Sequence, residues 1–310
     1  SKIGNLENVK IHKTIGMNKP LRYRNNVQVP VDEKHIGFYE KETHKIVNIN
    51  ECKIQHELSE KVIKVVREFM KKFNIQGYNK KTKKGIIRHI VSRISFKTQD
   101  MMIIIVTNTE KLLYSDELIK MLKNEIPSVK SIVQNINNRN TNLTLGCNNK
   151  TLYGESTIID YIGDLKFRIS PNSFFQVNTI QTEVLYNKAL EYADLKGNET
   201  VFDIYCGIGT ISLFLSKKAK KVYGIEVVSD AIRDAKENAK LNNIDNVEFY
   251  EGTAEKIFPK LYKKGIKADV VVLDPPRKGC EKEVLDTIIN MKPDRVVYVS
   301  CNPSTLARDL

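Results

Sequence analysis

Asp203-Ile204-Tyr205-Cys206-Gly207-Ile208-Gly209 is the stretch on which the fold turns. It closes an apolar run, Thr200 to Tyr205, and leads into a second one, Ile211 to Ser216. Glycines between a strand and a helix let backbone approach a ligand closely at the carboxyl end of a sheet. The residue three beyond Gly209 is Ser212 rather than a third glycine, so the pattern suits a dinucleotide pyrophosphate poorly. Glu226 ends the next apolar run, where it offers an acceptor for a ribose diol.

Outward from this turn the grammar is regular. From about Pro171, helices predicted over 180–192, 211–216, 229–242, 255–261 and 282–291 alternate with Val- and Ile-rich strands at 200–205, 221–226, 247–250, 268–273 and 295–300. Such alternation predicts a parallel sheet with helices on both faces, a Rossmann-like α/β domain over residues 171–310. Residues 1–170 read instead as an α+β domain. There His56 to Phe73 spaces Leu58, Val62, Val65, Val66, Phe69 and Met70 as an amphipathic helix with a basic outer surface. A polar loop over Asn79 to Gly85 precedes β-rich runs 86–95 and 101–107, joined as a hairpin through Lys97 to Asp100. A helix at 115–125, a strand at 131–136 and a turn-rich connection or exposed hairpin at 135–150 complete it.

The 310 residues carry 50 Lys and Arg against 37 Asp and Glu, a net charge of +13 that draws the chain toward polyanions, with nucleic acid the leading partner. The longest apolar run, Met101 to Val106, falls far short of the roughly 20 residues of a membrane helix, and Ser1 to Lys10 is too polar for a signal peptide. A cytoplasmic location follows, and no protein partner is inferred. Cys52, Cys147, Cys206, Cys280 and Cys301 form no disulfide-like framework, and His12, His35, His44, His56 and His89 show no metal-ligand spacing, so no metal site is expected.

Two further strand ends carry the chemistry. Asp274-Pro275-Pro276 ends the fourth strand of the Rossmann-like half, and with Asp203, the glycine turn and Glu226 it resembles the S-adenosylmethionine-dependent methyltransferase fold. Arg277 follows where amine methyltransferases usually carry a stacking aromatic. The fifth strand ends at Ser300-Cys301-Asn302-Pro303 and places a thiol on the ligand edge. Carbon 5 of a pyrimidine is a weak nucleophile; adding a thiolate at C6 makes C5 an enolate carbon able to attack a methyl sulfonium. Cytosine-C5 RNA enzymes of this fold typically carry an additional cysteine after a proline in the fourth-strand motif, so Asp-Pro-Pro-Arg favours uracil. Cytosine methylation and a non-catalytic RNA-binding or folding protein that keeps the fold stay as rival readings.

Pro20 to Asn25, Gly85 to His89, Ser170 to Asn178, Asp274 to Gly279 and Ser300 to Pro303 together resemble the RNA uracil-C5 methyltransferase family over nearly the whole chain. The resemblance implies S-adenosylmethionine as cofactor, held by Gln176, Tyr205, Glu226 and Asp274, with Thr253 a weaker fifth and Gly207 and Gly209 shaping the turn. It implies Cys301 as nucleophile, and Phe174, Gln176 and Asp274 facing a flipped uracil. One of the adjacent Phe174 and Phe175 is expected in the core, since both cannot point inward along an extended loop. The family's ribosomal branch binds a [4Fe–4S] cluster through four cysteines, and Val47 to Cys52 resembles the context of the fourth. Without the other three a cluster is expected only in a longer parent, with Cys52 an orphan ligand. Cys52 favours 23S ribosomal RNA over transfer RNA. The family's general base, a glutamate, and the last two strands of its sheet are expected beyond Leu310, which predicts a partly retained fold and impaired catalysis.

Overall fold

The structure, a computed structural model, describes residues 9–43, 45–141 and 143–310; His44, Asn142 and most of the polar N-terminal stretch, residues 1–8, lie outside them. The first half contains β1 (Asn26–Pro30), β2 (Gly37–Tyr39), β3 (Ile46–Asn48), α1 (Glu57–Lys72), β4 (Ile87–Ile94), β5 (Met101–Thr107), α2 (Ser115–Glu125), β6 (Val129–Ile136) and β7 (Asn148–Gly154). A hairpin, β8 (Ile158–Ile162) and β9 (Leu165–Ile169), leads to α3 (Thr179–Ala193). Then follow β10 (Thr200–Ile204), α4 (Thr210–Ser216), β11 (Lys221–Glu226), α5 (Ser229–Leu241), β12 (Val247–Glu251), α6 (Ala254–Lys263), β13 (Val270–Leu273), α7 (Lys282–Met291), β14 (Arg295–Tyr298) and α8 (Pro303–Asp309).

The first sheet has the order β1-β4-β5-β6-β7, antiparallel except for the β5–β6 pair, which α2 connects. The predicted hairpin joins β4 to β5, and the asparagine-rich connection is the turn between β6 and β7. Every residue of β5 is buried. Its alternate side chains explain why: Met101, Ile103 and Ile105 pack with α1 and α2, whereas Met102, Ile104 and Val106 enter a cluster shared with the second half. A strand covered on both faces needs a continuous apolar run rather than an alternating one.

The second sheet is wholly parallel, in the order β12-β11-β10-β13-β14. Helices α3, α4 and α5 pack on one face and α6 and α7 on the other. The strand order reverses direction beside β10, so the ends of β10 and β13 flank the crevice where α/β ligands bind. The β8–β9 hairpin packs on α3, α4 and α5, and the Asn238 side chain of α5 accepts the Arg168 amide at 2.7 Å. The 1–170 grouping assigns this hairpin to the first domain, yet its packing ties it to the second sheet. No helix among the described residues is long and apolar enough to cross a membrane.

Phe175 is the buried member of the aromatic pair, 3% exposed against Phe167, while Phe174 is 73% exposed. Phe175→Ala is therefore expected to cost about 3–5 kcal/mol of stability, against at most about 0.5 kcal/mol for Phe174→Ala. Urea unfolding of the two variants checks this, and equal losses would contradict the assignment.

Candidate functional site

The backbone leaves β10 through a sharp turn. Tyr205 has φ 73°, and the amides of Tyr205 and Cys206 both donate to the Ile225 carbonyl, at 2.9 and 3.0 Å. Gly209, at φ 82°, begins α4, and a Cβ there would meet the Phe249 ring at 3.0 Å. A Cβ on Gly207 would instead stand in open space, which leaves the crevice clear above the turn. The Gly207 amide donates to Glu226 Oε2 at 3.0 Å, and Glu226 Oε1 accepts the amides of Val227 and Val228 at 2.9 Å. Three N–H groups thus fix the carboxylate at the end of β11, with acceptor capacity left for a hydroxyl.

Asp203 lies beneath this turn, fully buried, and accepts the Ser212 hydroxyl at 2.5 Å through Oδ2; its Oδ1 has no partner. Burial pushes its pKa up to about 7 against that hydrogen bond, with the nearby Asp274 and Glu226 charges adding to the rise. Burial likewise raises Asp274, at the end of β13, to about 6. Thr253 begins α6 beyond β12, and its buried Oγ1 is unpartnered. An acidic crevice with unmatched buried oxygens suits a cationic ligand that carries hydroxyl and N–H donors.

Beyond β14, Cys301 is exposed. Its neighbour Asn302 caps α8 through the Ser304 amide at 3.0 Å and donates through Nδ2 to the Arg277 carbonyl at 3.2 Å. The thiol turn is thereby tied to the Asp274-Pro275-Pro276-Arg277 loop. A second tie comes from α8: Asp309 Oδ2 accepts the Cys280 amide at 2.8 Å and the Tyr298 hydroxyl at 2.6 Å, and Arg308 donates to the Lys278 carbonyl at 2.8 Å. Gly279, at φ 81°, admits this clamp, because a Cβ would come within 2.4 Å of the Arg308 guanidinium. Sequence reasoning misses Ser212, Cys280, Tyr298 and Asp309, whose roles depend on side chains that only the folded chain brings together.

Gln176 and Phe174 sit on the loop before α3. The Tyr186 hydroxyl lies 2.9 Å from Thr210 Oγ1 and within hydrogen-bonding reach of Gln176, and burial with nearby Asp274 and Asp203 charge raises its pKa. Gln176 is thus turned toward the Asp274 side, whereas exposed Phe174 lines a cavity on the first-sheet side. The first sheet holds the loop: Arg93 donates to the carbonyls of Pro171 and Ser173 at 3.1 and 2.7 Å, and Asn25 donates to the Gln176 carbonyl at 2.9 Å. The Ser173 hydroxyl donates to Asp234 of α5 at 2.7 Å.

Cys52 lies apart from this edge. Its amide donates to Glu60 at 2.9 Å and its carbonyl accepts Arg22 at 2.9 Å. Among the described residues no three His, Cys, Asp or Glu side chains gather as a metal would require. Cys206 packs beneath Gly224, and Cys147 is exposed. Lys80 stands over the Tyr39 ring at 5.1 Å, so part of the Lys80 to Lys84 loop is pinned to the first half.

The tRNA (uracil-5-)-methyltransferase family model matches residues 17–310. An uncharacterized RNA methyltransferase of Clostridium tetani is 55% identical over 97% of this chain, and one of Halalkalibacterium halodurans is 53% identical over 100%. The chain spans 66% and 68% of the length of those two proteins. The crystal structure of Pyrococcus abyssi tRNA (uracil-54, C5)-methyltransferase in complex with S-adenosyl-L-homocysteine superposes with a TM-score of 0.81 at 30% identity, over 94% of this chain and 69% of that one.

Asp203 yields a pH prediction. A carboxyl whose folded pKa is raised binds more protons folded than unfolded, so stability falls as pH rises from the unfolded value, about 4, through the folded one. The ligand-free protein should therefore lose stability relative to Asp203→Asn between about pH 4 and pH 7. Thermal melts across that range test this, and a difference independent of pH would refute it.

Proposed function

The chain belongs to the tRNA (uracil-5-)-methyltransferase family, and on that premise we propose that it methylates carbon 5 of a uridine in RNA through a covalent Cys301 adduct. It is an S-adenosylmethionine-dependent RNA methyltransferase by kinship. The observation that carries the finer reading is the exposed Cys301 thiol at the carboxyl end of the parallel sheet, tethered through Asn302 to the loop that begins at Asp274.

S-adenosylmethionine supplies an electrophilic methyl group on a sulfonium. The residues present fit it: Glu226 offers a fixed carboxylate to the ribose hydroxyls, Asp203 and Thr253 hold unmatched buried oxygens, and the acidic edge suits a cation. Gln176 and Tyr205 are assigned to the same cofactor, and Gly207, where a Cβ would meet nothing within 4 Å, leaves the turn open.

In the proposed sequence a uridine leaves its stack, and Phe174 and Gln176 present an aromatic face and an amide to it. The Cys301 thiolate forms a bond to C6, and the electron pair of the C5–C6 double bond moves to C5; S-adenosylmethionine, held by the residues above, would supply the methyl group to that carbon, the electron pair of its S–CH3 bond remaining on sulfur as the neutral thioether leaves. To Asp274, whose pKa burial raises to about 6, we assign the hydrogen bond to the pyrimidine edge. The C5 proton then leaves to a general base, and the electron pair of that C–H bond restores the double bond as the Cys301–C6 bond breaks. The context of Cys52 supports 23S ribosomal RNA over transfer RNA as the substrate.

Trapping tests this. Fluorine at C5 leaves no proton to remove, so RNA bearing 5-fluorouridine should accumulate a covalent complex with S-adenosylmethionine present. Cys301→Ala should abolish the complex while RNA affinity stays within about twofold. Trapping by 5-fluorocytidine instead would turn the reading to cytosine, and an adduct in Cys301→Ala would refute it. Comparing 23S ribosomal and transfer RNA fragments in the same assay decides the substrate.

A further inference from the structure

Cys280 lies on the loop between β13 and α7 and is 6% exposed, and no step of the proposed reaction uses its thiol. Strand β13 pairs with β10 on one side and β14 on the other, so that Ile204, Leu273 and Tyr298 stand abreast. Cys280 reaches both flanks of that middle strand. Its thiol donates to the Tyr298 hydroxyl at 3.7 Å, and Tyr298 donates to Asp309 Oδ2 at 2.6 Å. On the other flank the Tyr205 hydroxyl is within hydrogen-bonding reach of the same thiol, and both tyrosine rings pack against the cluster that contains Cys280.

Donors and acceptors in this set run one way. Tyr205 can donate to the Cys280 sulfur, the thiol donates to Tyr298, and Tyr298 donates to the Asp309 carboxylate, whose side chain is 0% exposed. Burial pushes the Cys280 thiol up, which keeps its proton in place. Hydrogen bonds in such a head-to-tail chain polarise one another. The two ends differ in what holds them. Tyr205, at φ 73°, has a backbone conformation that bulky side chains seldom take, so its ring needs support from outside the turn. Helix α8 has seven residues and, among those described, buries no apolar one, so packing alone does not fix it.

We propose that Cys280 is a positioning residue that couples the Tyr205 turn to α8, so that a cofactor seated at that turn orders the helix and with it the turn that presents Cys301. A ligand that fixes Tyr205 lowers the cost of ordering each later donor in the chain, down to Asp309. Loss of the middle link leaves both ends intact but independent. The bearing of this coupling on catalysis rests on the reading of Cys301 as the nucleophile toward uracil; the coupling itself requires only the cofactor.

Hydrogen exchange followed by mass spectrometry, with and without saturating S-adenosylhomocysteine, reads the coupling directly. The ligand should slow exchange of the amides of residues 305–310 about fivefold, and this protection should fall below about twofold in Cys280→Ala. Tyr298→Phe, which keeps the ring and removes one link, should do the same and serves if Cys280→Ala does not fold. Cys280→Ser retains a donor and an acceptor and should restore the protection. On a heptanucleotide bearing 5-fluorouridine, Cys280→Ala should lower the limiting rate of Cys301 adduct formation about tenfold, with the half-saturating RNA concentration within about twofold. Undiminished protection of α8 in Cys280→Ala or Tyr298→Phe, failure of serine to rescue, or exchange that quickens alike in both sheets would overturn the coupling. Normal adduct formation with protection that ignores Cys280 removes the coupling and leaves the uracil reading. Cys280-dependent protection in a protein that forms no adduct retains the coupling and removes that reading.

Discussion

The grip of Arg93 and Asn25 on the loop before α3 is the constraint on which the arrangement depends. Both residues belong to the first-sheet side, and both donate to main-chain carbonyls between Pro171 and Gln176. Ser173 anchors the same loop to Asp234 on the other side. Carbonyl contacts fix the course of the backbone whatever the side chains do, so the loop that carries Phe174, Phe175 and Gln176 is held from both halves of the chain.

The acidic crevice illustrates how position sets charge. Asp203, Asp274 and Glu226 end or underlie three neighbouring parallel strands, yet their surroundings differ. Asp203 is sealed off with one hydroxyl donor, which disfavours its ionised form; Glu226 is held by three amides. On the other flank, Asp309 braces the loop after β13 although burial opposes its charge. The Cys280 amide, Tyr298 and Arg308 outweigh that penalty and hold its pKa below the ordinary range. The thiol turn and the Asp274 loop therefore share one support.

Much of this is legible in the chain. The alternation of helices and Val- and Ile-rich strands after Pro171 gives the parallel sheet, because fully covered strands have no polar face to obscure the pattern. The glycine turn, Glu226, Asp274 and Cys301 are legible because strand ends set their place. Other features are hidden for identifiable reasons. Strand β7 is an exposed edge whose polar residues, Asn148 to Lys150, carry no strand signature, and only pairing with β6 makes it one. Hairpin β8–β9 does alternate, with Leu165, Phe167 and Ile169 buried between exposed Lys166 and Arg168, but it is short and its partner helices come later in the chain. The Arg93 and Asp309 contacts join residues far apart in sequence, where periodicity has nothing to say.

The hydrophobic cluster shared by the two sheets has a mechanical consequence. Met102, Ile104 and Val106 of the first sheet are fully buried in the same cluster as Val201, Val222 and Val270 of the second. Close-packed interiors resist shear, since sliding one layer would open voids along its whole length. The two halves therefore form a stiff anvil rather than a pair of jaws. On the proposed flipping of a uridine, the work of deformation falls on the nucleic acid, and a strand already bulged or frayed at the target meets a lower barrier than a fully stacked helix.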